Sequence, residues 1–357
     1  MQKLAPVFAF TFSVAALALT ACGSSGNSVS GASPEVSGHP SVQTSHWLDF
    51  DPAKGELPEA ISFRDGSAYV SLVGAGEIAK IDYPSAHRSV FAQLPVQRSN
   101  YTLGSAFDSQ GSLYVAVAAS DLGDPLGVAA AGVYKIETDA NGAAKAALWA
   151  SAHKTFKFPN GLSFDAAGNL YVTDAAEGAI YKFGTAGADG TALPWKRDTM
   201  LVGDPEACPA VARPFPVGAN GIFAESDAVW AVNTDNGTLV VVGVDGNGAA
   251  GEISAVAQDC AQLEGVDGMR PDPRSPQAAF LATNNTNHSV VSIGRDGQVA
   301  TVASGKPPFY SPADLVHIPG SQAPSLFLVV NASFEEAFAP PEAAAKPQPS
   351  IATLSLP

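Results

Sequence analysis

Short runs of alternating apolar and polar residues recur along this chain: LYVTD, LYVAV, VWAVN, AFLATN and LFLVVN. Each follows a Gly-, Asn- or Asp-rich turn such as DAAGN (165–169) or DSQG (108–111). Period-two alternation rich in Val, Tyr, Ile and Phe between such turns predicts half-buried β-strands. A third run follows in most units, as in AIYKF, GVYKIE, TLVVVGV and SVVSIG, and DGNG and RDG lead to outer strands. No long amphipathic helical pattern is present. Six segments align on the NGLSF core that starts at Asn160. They place Glu59, Leu103, Asn160, Asn220, Asp267 and Asp314 in one register, at steps of 44, 57, 60, 47 and 47 residues. Repeats of this length built from short strands predict an all-β fold, a six-bladed β-propeller with four-stranded antiparallel blades. The blades read as 55–95, 100–151, 156–204, 215–259, 263–305 and 309–357, with a Pro/Ala-rich surface loop at 337–350. Trp47 to Lys54 is the expected partner of the C-terminal strand, which would close the ring without a free edge.

The ends of the chain change the picture only outside the propeller. Residues 1–21 combine Lys3 with an apolar run from Pro6 to Thr20, the pattern of a signal peptide. That run ends in Leu19-Thr20-Ala21-Cys22, which resembles a bacterial lipobox. On that reading Cys22 carries lipid and residues 22–45, rich in Ser and Gly, form a tether to a domain at 46–357. The expected location is the cell envelope or outer membrane of a bacterium, with the lipid on Cys22 as the membrane contact. Two cysteines remain, Cys208 and Cys260. An even pair in an exported protein predicts a disulfide, here in loops at the end where inner strands begin. The 357 residues carry a formal charge of −15 with no basic run, so nucleic acid is not an expected partner. The 34 Gly, 27 Pro and 46% hydrophobic residues suit many short strands joined by tight turns.

The aligned register carries the candidate chemistry. In a closed propeller equivalent positions meet around one axis. Glu59, Asn160, Asn220 and Asp267 would then present two carboxylates and two neutral amide oxygens to one point, a donor set for a hard divalent cation. No aligned position is Cys or His, as a soft metal would prefer. Asn and Asp before Gly are ordinary turn residues taken singly; the shared register is what lifts the set. Asp267 could also serve as general base. Asp314 is open to three roles: a further ligand, an acid behind the ligands, or a turn cap. Leu103 leaves the second blade without an oxygen. The histidines share no register, and no GxSxG, P-loop or CxxC is present.

Over residues 50–335 these motifs resemble the SMP-30/gluconolactonase/luciferin-regenerating-enzyme-like family. The matching segments are Glu59 in LPEAISF, Asn160 with DAAGNLYVTD, Asn220 in GANGIFA and Asp267 in VDGM. The resemblance implies a central divalent cation, usually calcium, with Mg²⁺, Mn²⁺ or Zn²⁺ as alternatives. It implies hydrolysis of a small-molecule lactone or related ester, with the Asp as base or nucleophile. After DGM the chain departs from the family pattern, and MRPDPRSPQAAF predicts an irregular fifth blade. A propeller lipoprotein that binds a ligand or protein through its loops, without catalysis, is the competing expectation.

Overall fold

The strands pair in six separate sheets, and second strands such as Leu113–Ala119 and Leu170–Asp174 are buried at every residue between neighbouring sheets. The computed structural model describes residues 41–97, 99–121, 124–139, 141–151, 156–184, 193–208, 215–321, 325–338 and 346–357. Cys22, the signal segment and most of the expected tether lie outside the described residues. Among those described, 24 strands form six four-stranded antiparallel sheets. The protein is an all-β six-bladed propeller. The inner strands are Pro58–Arg64, Asn100–Phe107, Pro159–Phe164, Ala219–Ala224, Val266–Pro271 and Pro312–His317.

Six hydrophobic clusters hold the ring together, one at each interface between neighbouring blades. Tyr69 and Ile78 of blade one meet Leu113 and Val115 of blade two. Tyr114 packs with Val172 and Tyr181, and Tyr171 with Val229 and Val240. Val232 meets Phe280, Leu281 meets Phe327, and Val330 returns to Ile61 and Val70. Such burial, at about 25 cal/mol per Å² of apolar surface, is the main force that closes the circle.

Closure is completed by Gln43–Asp49, which pairs with Ser350–Leu356 from Gln43 opposite Ser355 to Asp49 opposite Ser350. The strand therefore starts and ends earlier than Trp47–Lys54 and includes three residues of the expected tether. The reason is local: Asp51 caps a short 3₁₀ turn at Pro52–Lys54, which ends the extended run. The fifth blade is also regular where disorder of the pattern was expected. Val266–Pro271 pairs with Ala279–Asn284. The intervening Pro-rich turn is tied by Asp272, which accepts bonds from the Arg274 amide and guanidinium at 2.7–3.2 Å.

Three short helices lie in loops at the end where the inner strands begin, here called the mouth: α1 (Pro125–Ala130), α2 (Cys260–Leu263) and α3 (Phe334–Ala337). Cys208 and Cys260 are bonded across that end, 52 residues apart in sequence. The bridge links the loop leading into blade four with α2, which leads into blade five. Among the described residues no helix is long and apolar enough to cross a membrane.

Candidate functional site

Five inner strands open with the same distortion. Pairing skips between Pro58 and Ile61, Thr102 and Ser105, Pro159 and Leu162, Ala219 and Ile222, and Val266 and Met269. The bulged residues are Glu59, Leu103, Asn160, Asn220 and Asp267, each followed by a small residue. A bulge re-aims a side chain out of the sheet, and here it aims at the axis. Glu59, Asn160, Asn220 and Asp267 line one cavity of about 20 Å³, with Arg270 and Asp314. That volume admits a single ion or water-sized body.

The glycines explain why the motif is oxygen-then-Gly. A Cβ on Gly104 would lie 2.2 Å from the Asn160 carbonyl oxygen, one on Gly161 2.4 Å from that of Asn220, and one on Gly221 2.2 Å from that of Asp267. Each glycine lets its blade approach the backbone of the next ring residue. Thr173 adds a tie: its hydroxyl accepts from the Gly161 amide at 2.8 Å and donates to the Asn220 carbonyl at 2.7 Å.

Blade six breaks the register. Its pairing skips only one residue, between Pro312 and Asp314, so Ala313 stands level with Glu59 and Asp314 lies one residue further on. The alignment that equated Asp314 with Glu59 is thus off by one: Pro312, opposite Asn331, stands level with Pro58, opposite Leu72. Asp314 is fully engaged by protein groups. Its Oδ2 accepts from the Ile61 amide at 3.1 Å and from Arg270 Nη2 at 2.7 Å, and its Oδ1 from the Leu315 amide at 2.8 Å. Burial pushes its carboxyl up, and Arg270 opposes that shift.

Glu59 is in the opposite condition. It is 6% exposed, and its Oε2 is buried without a hydrogen-bond partner. Burial, then Asp267, then Asp314 push its carboxyl well above the ordinary value, with only Arg270 pulling the other way. Asp267 accepts from Asn285 Nδ2 at 3.1 Å. The orientation of Asn220 follows from a proton count. The Thr234 hydroxyl donates its one proton to the Val266 carbonyl at 2.8 Å, so it must accept from Asn220 at 3.0 Å. The Asn220 NH₂ is thereby fixed on Thr234, and its side-chain Oδ1 is the group left for the channel.

Three contributors escaped the sequence reading: Arg270, Thr234 and Asn285. A signal existed for two of them. Thr234 and Asn285 each follow the last residue of a second strand, Asn233 and Asn284, and so share a repeat register. Asn233 and Asp235 are structural, donating to the Met200 and Val202 carbonyls and accepting from the Val217 amide. His288 holds the Ser311 amide and lies outside the channel.

Does this set fit a cation? Glu59, Asp267 and Asp314 against Arg270 leave a formal charge of −2 in one small polar cavity. Among the described residues no three His, Cys, Asp or Glu side chains group as a metal cage, so an ion here would rely on amide oxygens as well as carboxylates. The orphaned Glu59 oxygen and the Asn220 side-chain Oδ1 are suited to that task, and all donors are hard oxygens. The fit is met by a hard divalent ion.

No family model and no curated protein matches the sequence. The fold does match solved structures. The Malassezia sympodialis allergen Mala s 1 superposes with a TM-score of 0.61 at 12% identity, covering 89% of this chain and 96% of the allergen. A gluconolactonase from Xanthomonas campestris gives 0.59 at 13% identity, covering 88% and 90%. An auxiliary nutrient binding protein from Bacteroides ovatus gives 0.59 at 9%, covering 88% and 76%. These likenesses establish the propeller and leave its chemistry to the residues of the channel.

Proposed function

We propose that the channel holds one divalent cation, calcium by donor chemistry, and hydrolyses a lactone or related ester. Glu59, Asn160, Asn220 and Asp267 would hold the ion. The observation that carries this reading is the buried, partnerless Glu59 oxygen facing a second carboxylate. Leaving such an atom unmet costs about 1–3 kcal/mol, and a cation would remove that cost. When bound, the ion supplies polarisation of the ester carbonyl and a lowered pKa for water beside it. Asp267 then acts as base. Its carboxylate takes a proton from water as the water oxygen bonds to the carbonyl carbon, and returns it to the departing alkoxide. Asn285 keeps the carboxylate oriented for that exchange. Arg270 holds Asp314 back from the ring, which limits the negative charge there.

The test is calcium titration of the chain from Gly23 onward, by calorimetry, beside the Glu59→Gln/Asp267→Asn double variant. One site in the wild type and none in the variant is expected. Equal binding, or no binding by either, would sink the cage. Acid release from a panel of lactones then reads the reaction, and Asp267→Asn should abolish it. Saturable calcium with an inert panel would favour the binding protein instead. We also propose that Cys22 anchors the protein by lipid. Cys22→Ser should move it from the membrane to the soluble fraction.

A further inference from the structure

Above the oxygen ring lies a continuous strip of aromatic side chains that the proposed chemistry does not use. Ring centroids run Phe215 to Phe158 at 5.2 Å, Phe158 to Tyr101 at 6.4 Å, Tyr101 to Phe338 at 6.5 Å and Phe338 to Phe334 at 5.7 Å. All belong to the mouth. Phe158 immediately precedes Pro159-Asn160, and Tyr101 sits two residues before Leu103 on the blade that offers no oxygen. Phe215 leads into blade four, and Phe334 and Phe338 follow the second strand of blade six.

The Tyr101–Phe338 contact is topologically unusual. Blades two and six are not neighbours, because blade one lies between them. The loop of blade six must therefore reach past blade one to touch Tyr101. That reach is built in. Glu336 accepts from Lys306 Nζ at 2.8 Å and from the Ser333 hydroxyl at 2.7 Å, and Glu335 lies 3.1 Å from His288 Nε2. These pegs fix α3 and so fix Phe338. Yet Phe215 and Phe338 remain 38% and 58% exposed. A protein that pins exposed aromatics beside its central cavity keeps apolar surface in water at a cost that a ligand would relieve. The cavity takes only one water-sized body and none of these aromatics lines it, so the rest of any ligand needs surface outside it, and Phe158 of the strip lies two residues before Asn160.

We propose that the strip from Phe215 to Phe338 is the apolar wall of the ligand site. It selects a compound in which a flat aryl group is fused or joined to the carbonyl that reaches the oxygen ring. The proposal rests on the channel as the place where that carbonyl docks. It sets an aryl lactone or aryl ester above a small aliphatic or polyhydroxylated one.

A matched pair of hydrolysis-resistant lactams tests this without relying on turnover: 3,4-dihydroquinolin-2-one, which carries the fused benzene ring, and δ-valerolactam, which lacks it. Both are titrated by ligand-observed NMR into the chain from Gly23 onward with saturating calcium. The aryl lactam should bind about tenfold tighter. Phe215→Ala/Phe338→Ala should bring the two within about twofold, through loss of aryl affinity alone. If that pair fails to fold, Phe215→Leu/Phe338→Leu keeps apolar bulk and should still lose most of the preference. The proposal is overturned if the aryl lactam binds no tighter than δ-valerolactam, or if its advantage survives both variants. Failure of the hydrolase reading looks different: the aryl preference stands while dihydrocoumarin and δ-valerolactone both stay unhydrolysed. Equal hydrolysis of those two lactones with no aryl preference would instead spare the hydrolase and remove the wall.

Discussion

Glu56 and Glu59 lie three residues apart, are 8% and 6% exposed, and are treated in opposite ways. Glu56 is clamped by Arg88, whose Nη1 and Nη2 meet its two oxygens at 2.8 and 3.1 Å, and it also takes the Asp51 amide at 3.0 Å. Burial alone would push its carboxyl up; Arg88 and the Asp51 amide outweigh that and hold it below the ordinary value. Glu59 has a partnerless oxygen, faces Asp267 and Asp314, and is pushed well up. The same contrast recurs at Glu225, which Arg295 holds by two bonds and keeps lowered. The fold can therefore satisfy a buried glutamate where the glutamate is structural. At Glu59 it leaves one oxygen unmet, which is what the proposed cation site calls for.

Cation affinity should split the two glutamates most widely. Glu59→Gln removes one of two charged donors and should weaken calcium binding on the order of a hundredfold. Glu56→Gln should leave it within about threefold, because Glu56 has no part in the ring. Calorimetry on both single variants checks this. Equal losses would mean that Glu59 acts through the fold, as Glu56 does, and the comparison would break.

Stability should then separate them in reverse. Glu56→Gln breaks a bidentate charged pair and leaves Arg88 with Glu77, at a cost of about 2 kcal/mol. In chelator, Glu59→Gln removes a buried charge that Asp267 and Asp314 oppose and only Arg270 favours, so its Tm should match or exceed that of the wild type. Thermal melts with and without calcium read both. A fall in Tm for Glu59→Gln in chelator as large as that for Glu56→Gln would show a hidden structural partner for Glu59.

The Glu59 side of this contrast was legible in the repeat, and Glu56 carried no such signal. Glu59, Asn160, Asn220 and Asp267 share a register because one local device, the bulge before a small residue, recurs in each blade. Short apolar runs between turns marked the strands, because each blade buries both faces of its inner strands against neighbours. Asp314 was misplaced because blade six carries Ala313 at the bulged position, so the nearest acid in the sequence lies one residue past the register. Arg270 was hidden by Pro271 and Pro273, which read as a broken blade although Asp272 and Arg274 stitch the turn. The Tyr101–Phe338 contact had no local signal at all. It depends on a loop reaching past a whole blade, set by Lys306 and Ser333, which are far from Tyr101 in sequence.

The smallest effect is in the pH dependence of the calcium-free protein, where the two glutamates should act with opposite sign. Glu56 has a folded-state value below the ordinary glutamate value of 4.5. The folded state therefore binds its proton less readily than the unfolded chain. Its contribution is present above 4.5 and is lost as pH falls through the lower folded value. Glu59 has a folded-state value well above 4.5. Its contribution is fully present below 4.5 and is lost as pH rises from there through the folded value. Denaturant midpoints measured from pH 3 to pH 9 in chelator should thus show an acid limb that Glu56→Gln makes shallower, the rest coming from groups such as Glu225, and an upper limb that Glu59→Gln makes shallower, the rest coming from Asp314 and Asp174. Each variant should leave the other limb unchanged, since the two carboxyls answer to different partners, Arg88 on one side and Asp267 on the other. Calcium should shrink the upper limb and leave the acid limb unchanged, because the proposed ion meets Glu59 and not Glu56.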